Sequence, residues 1–190
     1  MARQSFLVSP GSPPRPESRE GHVEQLALRL IDDAPVSLRR LTVDMDDDSL
    51  RRRPQPQEWS IVEIAGHLVD KAEVWGERLR RIAAEDRPFL PAYDQDARVV
   101  ERGYRSQSLD DVVKKLEELS RALTSDLRAL PAEDWQKIGV HEERGQMTLA
   151  EATRIYAISL PDHVEQLIAT RDAVLKETEA GWAPRCPTGI

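Results

Sequence analysis

Histidine is the side chain best suited to holding a transition metal or moving a proton near neutral pH. Two of the four in this chain, His67 and His163, fall on stretches whose other inward positions are apolar. His67 lies three residues after Ile64 and one before Leu68, which at ~100° per residue puts it on the flank of a helical stripe. His163 lies nearer the middle of a narrower stripe, four residues after Ser159 and two after Pro161. The missing N–H of Pro161 frees the carbonyl of Ala157 and bends the helix, and a bend beside an inward histidine makes a natural wall for a site. Tyr156, three residues before Ser159 on the same face, offers a phenolic O–H to the same cavity. Taken singly, a histidine near an apolar face is more often a hydrogen-bonded core residue than a ligand.

The elements that must position these residues read as helices. Val23, Leu26, Ala27, Leu30 and Ile31 give the rhythm of a first helix over His22 to Ala34, and Pro35 either interrupts it or begins a second piece continued by Leu38, Leu41 and Met45. Arg51 to Pro56, with two prolines, is a loop. Ser60 with Glu63 forms a capping box before a sustained stripe from Ile61 to Ala83 that carries His67. Asp86 to Gln107 has neither helical nor strand period and reads as a long structured crossing whose Tyr93, Asp94 and Tyr104 are placed to cover the opening of a site. Ser108 and Asp111 cap a third helix ending at Pro131, with a near-heptad seam from Leu109 to Leu130. After a second connection to Gly145, Thr148 and Glu151 open a last long helix to about Glu177, whose stripe includes Tyr156, Ser159 and His163. No stretch with strand alternation competes. Four principal helices with two long crossings predict an all-α four-helix bundle over 21–178, a disordered leader over 1–20 and a Pro-rich tail over 179–190.

Composition narrows the function classes. With 39% hydrophobic, 5% aromatic and 32% charged residues, the chain suits short buried stripes under large charged surfaces, which helices provide better than sheets. A net charge of −7, from 34 acidic and 27 basic residues spread along the chain, leaves no basic patch for nucleic acid. No run approaches the ~20 apolar residues of a membrane span. The single cysteine, Cys186, has no internal partner, which fits a reducing compartment. The expectation is a cytoplasmic protein without nucleic-acid or membrane partners.

Three stretches carry a family resemblance. Glu58-Trp59-Ser60-Ile61-Val62-Glu63-Ile64-Ala65-Gly66-His67-Leu68-Val69-Asp70 resembles the W-S, E, H-L, D signature of the DinB-like, also called YfiT-like, superfamily. His141 to Glu151, with Gly145 and Thr148-Leu149, resembles that family's approach to its last helix, and Pro161-Asp162-His163-Val164-Glu165-Gln166-Leu167 resembles its closing D-H, Q-L motif. The three occur in the expected order over roughly Val23 to Asp172. The resemblance implies a four-helix bundle, often a homodimer, with one divalent metal, commonly nickel or zinc, on three histidines. Residue by residue, His67 and His163 match two ligands, and Ser159 stands at the third position. A serine hydroxyl is a poor ligand, and two imidazoles hold a divalent ion far less firmly than three. Asp70 and Asp162 carry carboxylates but not on the face of Ser159, and His141 is a further donor if its loop turns inward.

The reading favoured is a family bundle with a degenerate site, metal-free or weakly metal-binding, holding a small ligand in its pocket. The alternative is an active metal-dependent hydrolase, or a transferase or isomerase using a low-molecular-weight thiol. There His67 and His163 would be ligands, and Tyr156 or Asp162 would hydrogen-bond the bound nucleophile. A third reading, an interaction protein working through its leader or tail, rests on composition alone.

Overall fold

The helices that carry the candidate residues start where reciprocal capping fixes them. Ser60 Oγ accepts from the Glu63 backbone N–H and the Glu63 carboxylate accepts from the Ser60 N–H at 2.9 Å. Thr148 and Glu151 repeat the arrangement, at 3.1 and 2.8 Å. Each box satisfies N–H groups that the first helical turn leaves without partners. Arg53 forks onto the Glu63 carboxylate, so the loop before the helix is tied to the same cap.

The computed structural model describes residues 19–181. The expected leader and tail, with Cys186, lie outside that range, apart from the few residues that belong to the first and last helices. The elements are α1 (Arg19–Thr42), α2 (Asp47–Arg51), α3 (Ile61–Ala84), β1 (Phe89–Leu90), α4 (Gln95–Arg102), α5 (Leu109–Arg128), β2 (Ile138–His141), β3 (Gly145–Thr148), α6 (Leu149–Ile158) and α7 (Leu160–Gly181). The bundle is formed by α1, α3, α5 and the α6–α7 pair. Both α1 and α3 pack on α5 and on α6–α7, so they stand at opposite corners. α3 and α5 pack side by side with their positions rising together, Gly76 beside Leu123 and Arg80 paired with Asp126, so they run in the same direction and the chain must return along the bundle between them, which a tight turn cannot do. The core is aliphatic, with Ile31, Leu38, Ile64, Leu68, Leu79 and Leu123 fully enclosed.

Several expectations are corrected. α1 runs straight through Pro35, and Val23 and Leu26 from its expected stripe are exposed while Leu28 is buried, so the core-facing stripe is rotated. Ser108 precedes α5 but its side chain makes no capping bond. The last helix is two helices, broken at Ser159, two residues before the Pro161 that removes an N–H. A small sheet also exists where no strand was expected, with β1 parallel to β2 and β2 antiparallel to β3. Strands of two and four residues are too short for alternation to show. Gly139 in β2 is enforced by close approach, because a Cβ there would lie 2.7 Å from Ile82 Cγ1.

The first long crossing is pinned at both ends. β1 joins the sheet, and α4 is held to α3 by ion pairs from Arg98 to Asp70 and Glu73 and from Arg102 to Glu73. Beyond α4, Tyr104 is buried against the backbone of Gly66 and its O–H donates to Asp70 Oδ1 at 2.8 Å. A hydrogen bond to a buried charge is worth about 1.5–3 kcal/mol. Tyr104→Phe is therefore expected to lower unfolding free energy by about that amount in urea titrations, with helical content unchanged at zero denaturant.

Candidate functional site

One face of α3 presents His67, Lys71, Trp75 and Arg78, at spacings of four, four and three residues, so they rise one above another toward α6–α7 and the first crossing. His67 is 1% exposed and its ring lies between Trp59, at 4.9 Å between centroids, and His163, at 4.7 Å and edge-on. The two histidines predicted from separate helices therefore meet. Neither ring nitrogen of His67 has a hydrogen-bond partner among the described residues. Burial, then the proximity of His163 and Lys71, pushes its pKa down to about 3, so the imidazole is neutral near pH 7.

The centre of the site is held by Lys71, a residue the sequence reading passed over. Its Nζ donates to Ser159 Oγ at 2.8 Å and lies 2.9 Å from His163 Nε2. Ser159 Oγ in turn donates to the Tyr156 carbonyl at 2.7 Å, leaving its lone pairs for the ammonium. With Lys71 protonated, His163 Nε2 must accept, which places the His163 proton on Nδ1, facing Gln166 Oε1 at 3.3 Å. Desolvation lowers the Lys71 pKa to about 8, partly opposed by Asp162, and burial with Lys71 lowers that of His163. The break between α6 and α7 falls on Ser159, so the irregular residue of the last helix is the one that meets the lysine. Lys71 was findable in principle: it stands one turn after His67, on a face whose other members point inward.

Beside Lys71 opens a pocket of about 370 Å³, lined among others by Trp75, Arg78, Tyr93, His141 and Ser159. Arg78 is 6% exposed, and its Cζ lies over the Trp75 ring at 5.0 Å and the Tyr93 ring at 5.6 Å from the centroids. It donates to the Pro91 carbonyl. Burial drives the Tyr93 phenol up to about 12, so it stays protonated.

The remaining sequence candidates are distributed as follows. Tyr156 is enclosed and stacks on Trp75 at 6.0 Å, and burial raises its pKa. Asp162 is exposed at the pocket rim. Asp70 is turned away, toward Arg98 and Tyr104. His141 is buried and stacks on Trp75 at 6.2 Å, with Nδ1 accepting from the Glu143 N–H, so it belongs to the pocket. Among the described residues, no group of three or more His, Cys, Asp or Glu side chains is placed to hold a metal ion. Of the loop residues expected at the opening, Tyr93 lines the pocket while Tyr104 is buried behind α3.

A mostly helical bundle with an inward histidine pair shared between its second long helix and its last one defines the class. The DinB superfamily profile matches residues 30–167, and the chain belongs to that superfamily. It is similar to the "Putative metal-dependent hydrolase OB0782" of Oceanobacillus iheyensis, 24% identical over 127 residues, covering 67% of this chain and 73% of the relative. A protein of Bacillus cereus named "Putative metal-dependent hydrolase" is 25% identical over 141 residues, covering 74% of this chain and 81% of the relative. Among solved structures, YfiT from Bacillus subtilis, described as a probable metal-dependent hydrolase with an unusual four-helix bundle topology, superposes with a TM-score of 0.72 at 19% identity. That match covers 90% of this chain and 94% of YfiT. The mycothiol-dependent maleylpyruvate isomerase matches with a TM-score of 0.61 at 10% identity, over 76% of this chain and 60% of that one. At these identities the structural matches establish the fold. No helix among the described residues is long and apolar enough to cross a membrane.

Whether these residues suit the metal named for the relatives is decided by their chemistry. The unpartnered nitrogens of His67 are what a ligand position requires. At the other two positions the requirement fails: Ser159 supplies a neutral hydroxyl, and the lone pair of His163 Nε2 is already met by an ammonium. A divalent ion bound there would face a cation instead of a donor, so the donor set does not fit.

Proposed function

We propose that this DinB-superfamily protein has exchanged the metal of its histidine site for the ammonium of Lys71, and that it binds a small ligand in the adjoining pocket. The observation that carries this reading is the placement of Lys71 Nζ within 2.9 Å of both Ser159 Oγ and His163 Nε2. The pocket volume falls in the range that encloses small metabolites.

The alternative, a metal-dependent hydrolase or thiol-dependent transferase, is favoured by the names of the relatives and by one feature here, the two unpartnered nitrogens of His67. Metal analysis separates the two. Untagged protein, incubated with excess nickel or zinc at pH 7 and then dialysed, is expected to retain far less than one ion per chain. Stoichiometric metal that disappears in His163→Ala would overturn the proposal.

A further inference from the structure

Lys71 and Arg78 are both buried, at 8% and 6% exposure, and both line the same pocket, yet neither forms an ion pair with a carboxylate among the described residues. Every other arrangement of buried charge here is compensated. Asp70 meets Arg98 and Arg102, and Glu63 meets Arg53. Two enclosed cations with no carboxylate in contact, only Asp162 and Glu143 farther off at the rim, are costly unless something supplies closer opposite charge, because taking a charge out of water is offset chiefly by pairing.

The surroundings define what that anion is. Trp75 and Tyr93 lie against Arg78 and its Nη2 already donates to the Pro91 carbonyl, so the remaining N–H groups are the part left for a ligand, and their planar arrangement suits the oxygens of a carboxylate. Lys71 contributes a point charge, and part of its donor capacity is already spent on Ser159 and His163. Arg144, Glu143 and Asp162 also line the pocket, so three cationic and two anionic side chains leave the lining as a whole with an excess of one positive charge. Trp75 and Tyr93 give the rest of the pocket an aromatic wall.

We infer that the pocket is a receptor for a small monocarboxylate, with Arg78 gripping the carboxylate edge-on and Lys71 supplying the second charge. This rests on the reading that Lys71 serves as a resident cation. The test uses the full-length protein at pH 7, titrated calorimetrically with acetate, pyruvate and benzoate, and with acetamide and benzamide as neutral counterparts. At least one carboxylate is expected to bind saturably with Kd below about 1 mM and at least tenfold more tightly than its amide. Arg78→Gln is expected to lose that affinity tenfold or more. If Arg78→Gln does not fold, the wild-type Arg78 Nε–H resonance decides, and it must shift along the same binding curve. Absence of saturable carboxylate binding, equal binding of acid and amide, or an Arg78 that is indifferent by both readouts would overturn the inference. The two proposals fail separately. Retained stoichiometric metal with intact carboxylate binding removes the metal-free reading alone, and metal-free protein that ignores carboxylates removes this one alone.

Discussion

A chain carrying both Lys71→Met and Ser159→His is expected to bind nickel or zinc about 10³-fold more tightly than the wild type at pH 7. Two terms give that figure. The lysine, with its pKa near 8, must shed a proton or withdraw before an ion can sit against His163 Nε2. Deprotonation at pH 7 costs about 1.4 kcal/mol, or tenfold. The new imidazole restores a third donor, and a tetrahedral zinc site worth about 10–16 kcal/mol gives about 3 kcal/mol per ligand, or roughly 10². Ser159→His alone is expected to gain less, because the ammonium stays. Competition against a chromophoric chelator reads both variants, and a double variant no tighter than wild type would mean that His67 and His163 do not converge as described.

The second large effect lies behind the same helix. A Cβ on Gly66 would fall 2.1 Å from Tyr104 Cγ, with two further ring atoms within 2.5 Å. The ring cannot give way cheaply, since it is buried and its O–H is bonded to Asp70. Overpacking costs about 1–3 kcal/mol, and displacing the ring also forfeits the bond to a carboxylate, about 1.5–3 kcal/mol more. Gly66→Ala is thus expected to destabilise by about 4 kcal/mol in denaturant titrations. Adding Tyr104→Ala should cost little further, because both changes abolish one contact and neighbouring substitutions do not add. Full additivity would show that Gly66 and Tyr104 are not in contact.

The helical frame was open to reading because its signals are local. Ser60 with Glu63, and Thr148 with Glu151, are three residues apart, and the stripe from Ile61 to Ile82 repeats over six turns. The meeting of His67 and His163 came from a resemblance, since residues so far apart leave no mark on each other's neighbourhood. What stayed hidden depends on contacts between distant segments. β1 is two residues long and pairs with a strand near residue 140. Lys71 interrupts a stripe, and a pattern search treats it as a surface residue. Its partners, Ser159 and His163, lie 88 and 92 residues away. Ser159 was singled out for the ligand it fails to be, while the residue that uses it went unnoticed.

A positive charge that is part of the polypeptide differs from a bound ion in how it is supplied. It is present once per molecule from synthesis onward, a chelator cannot remove it, and it takes no part in the competition among divalent ions that otherwise decides which metal fills a protein site. For Lys71, the occupancy of the place between Ser159 and His163 is set by folding and by pH, and not by what the surroundings can deliver.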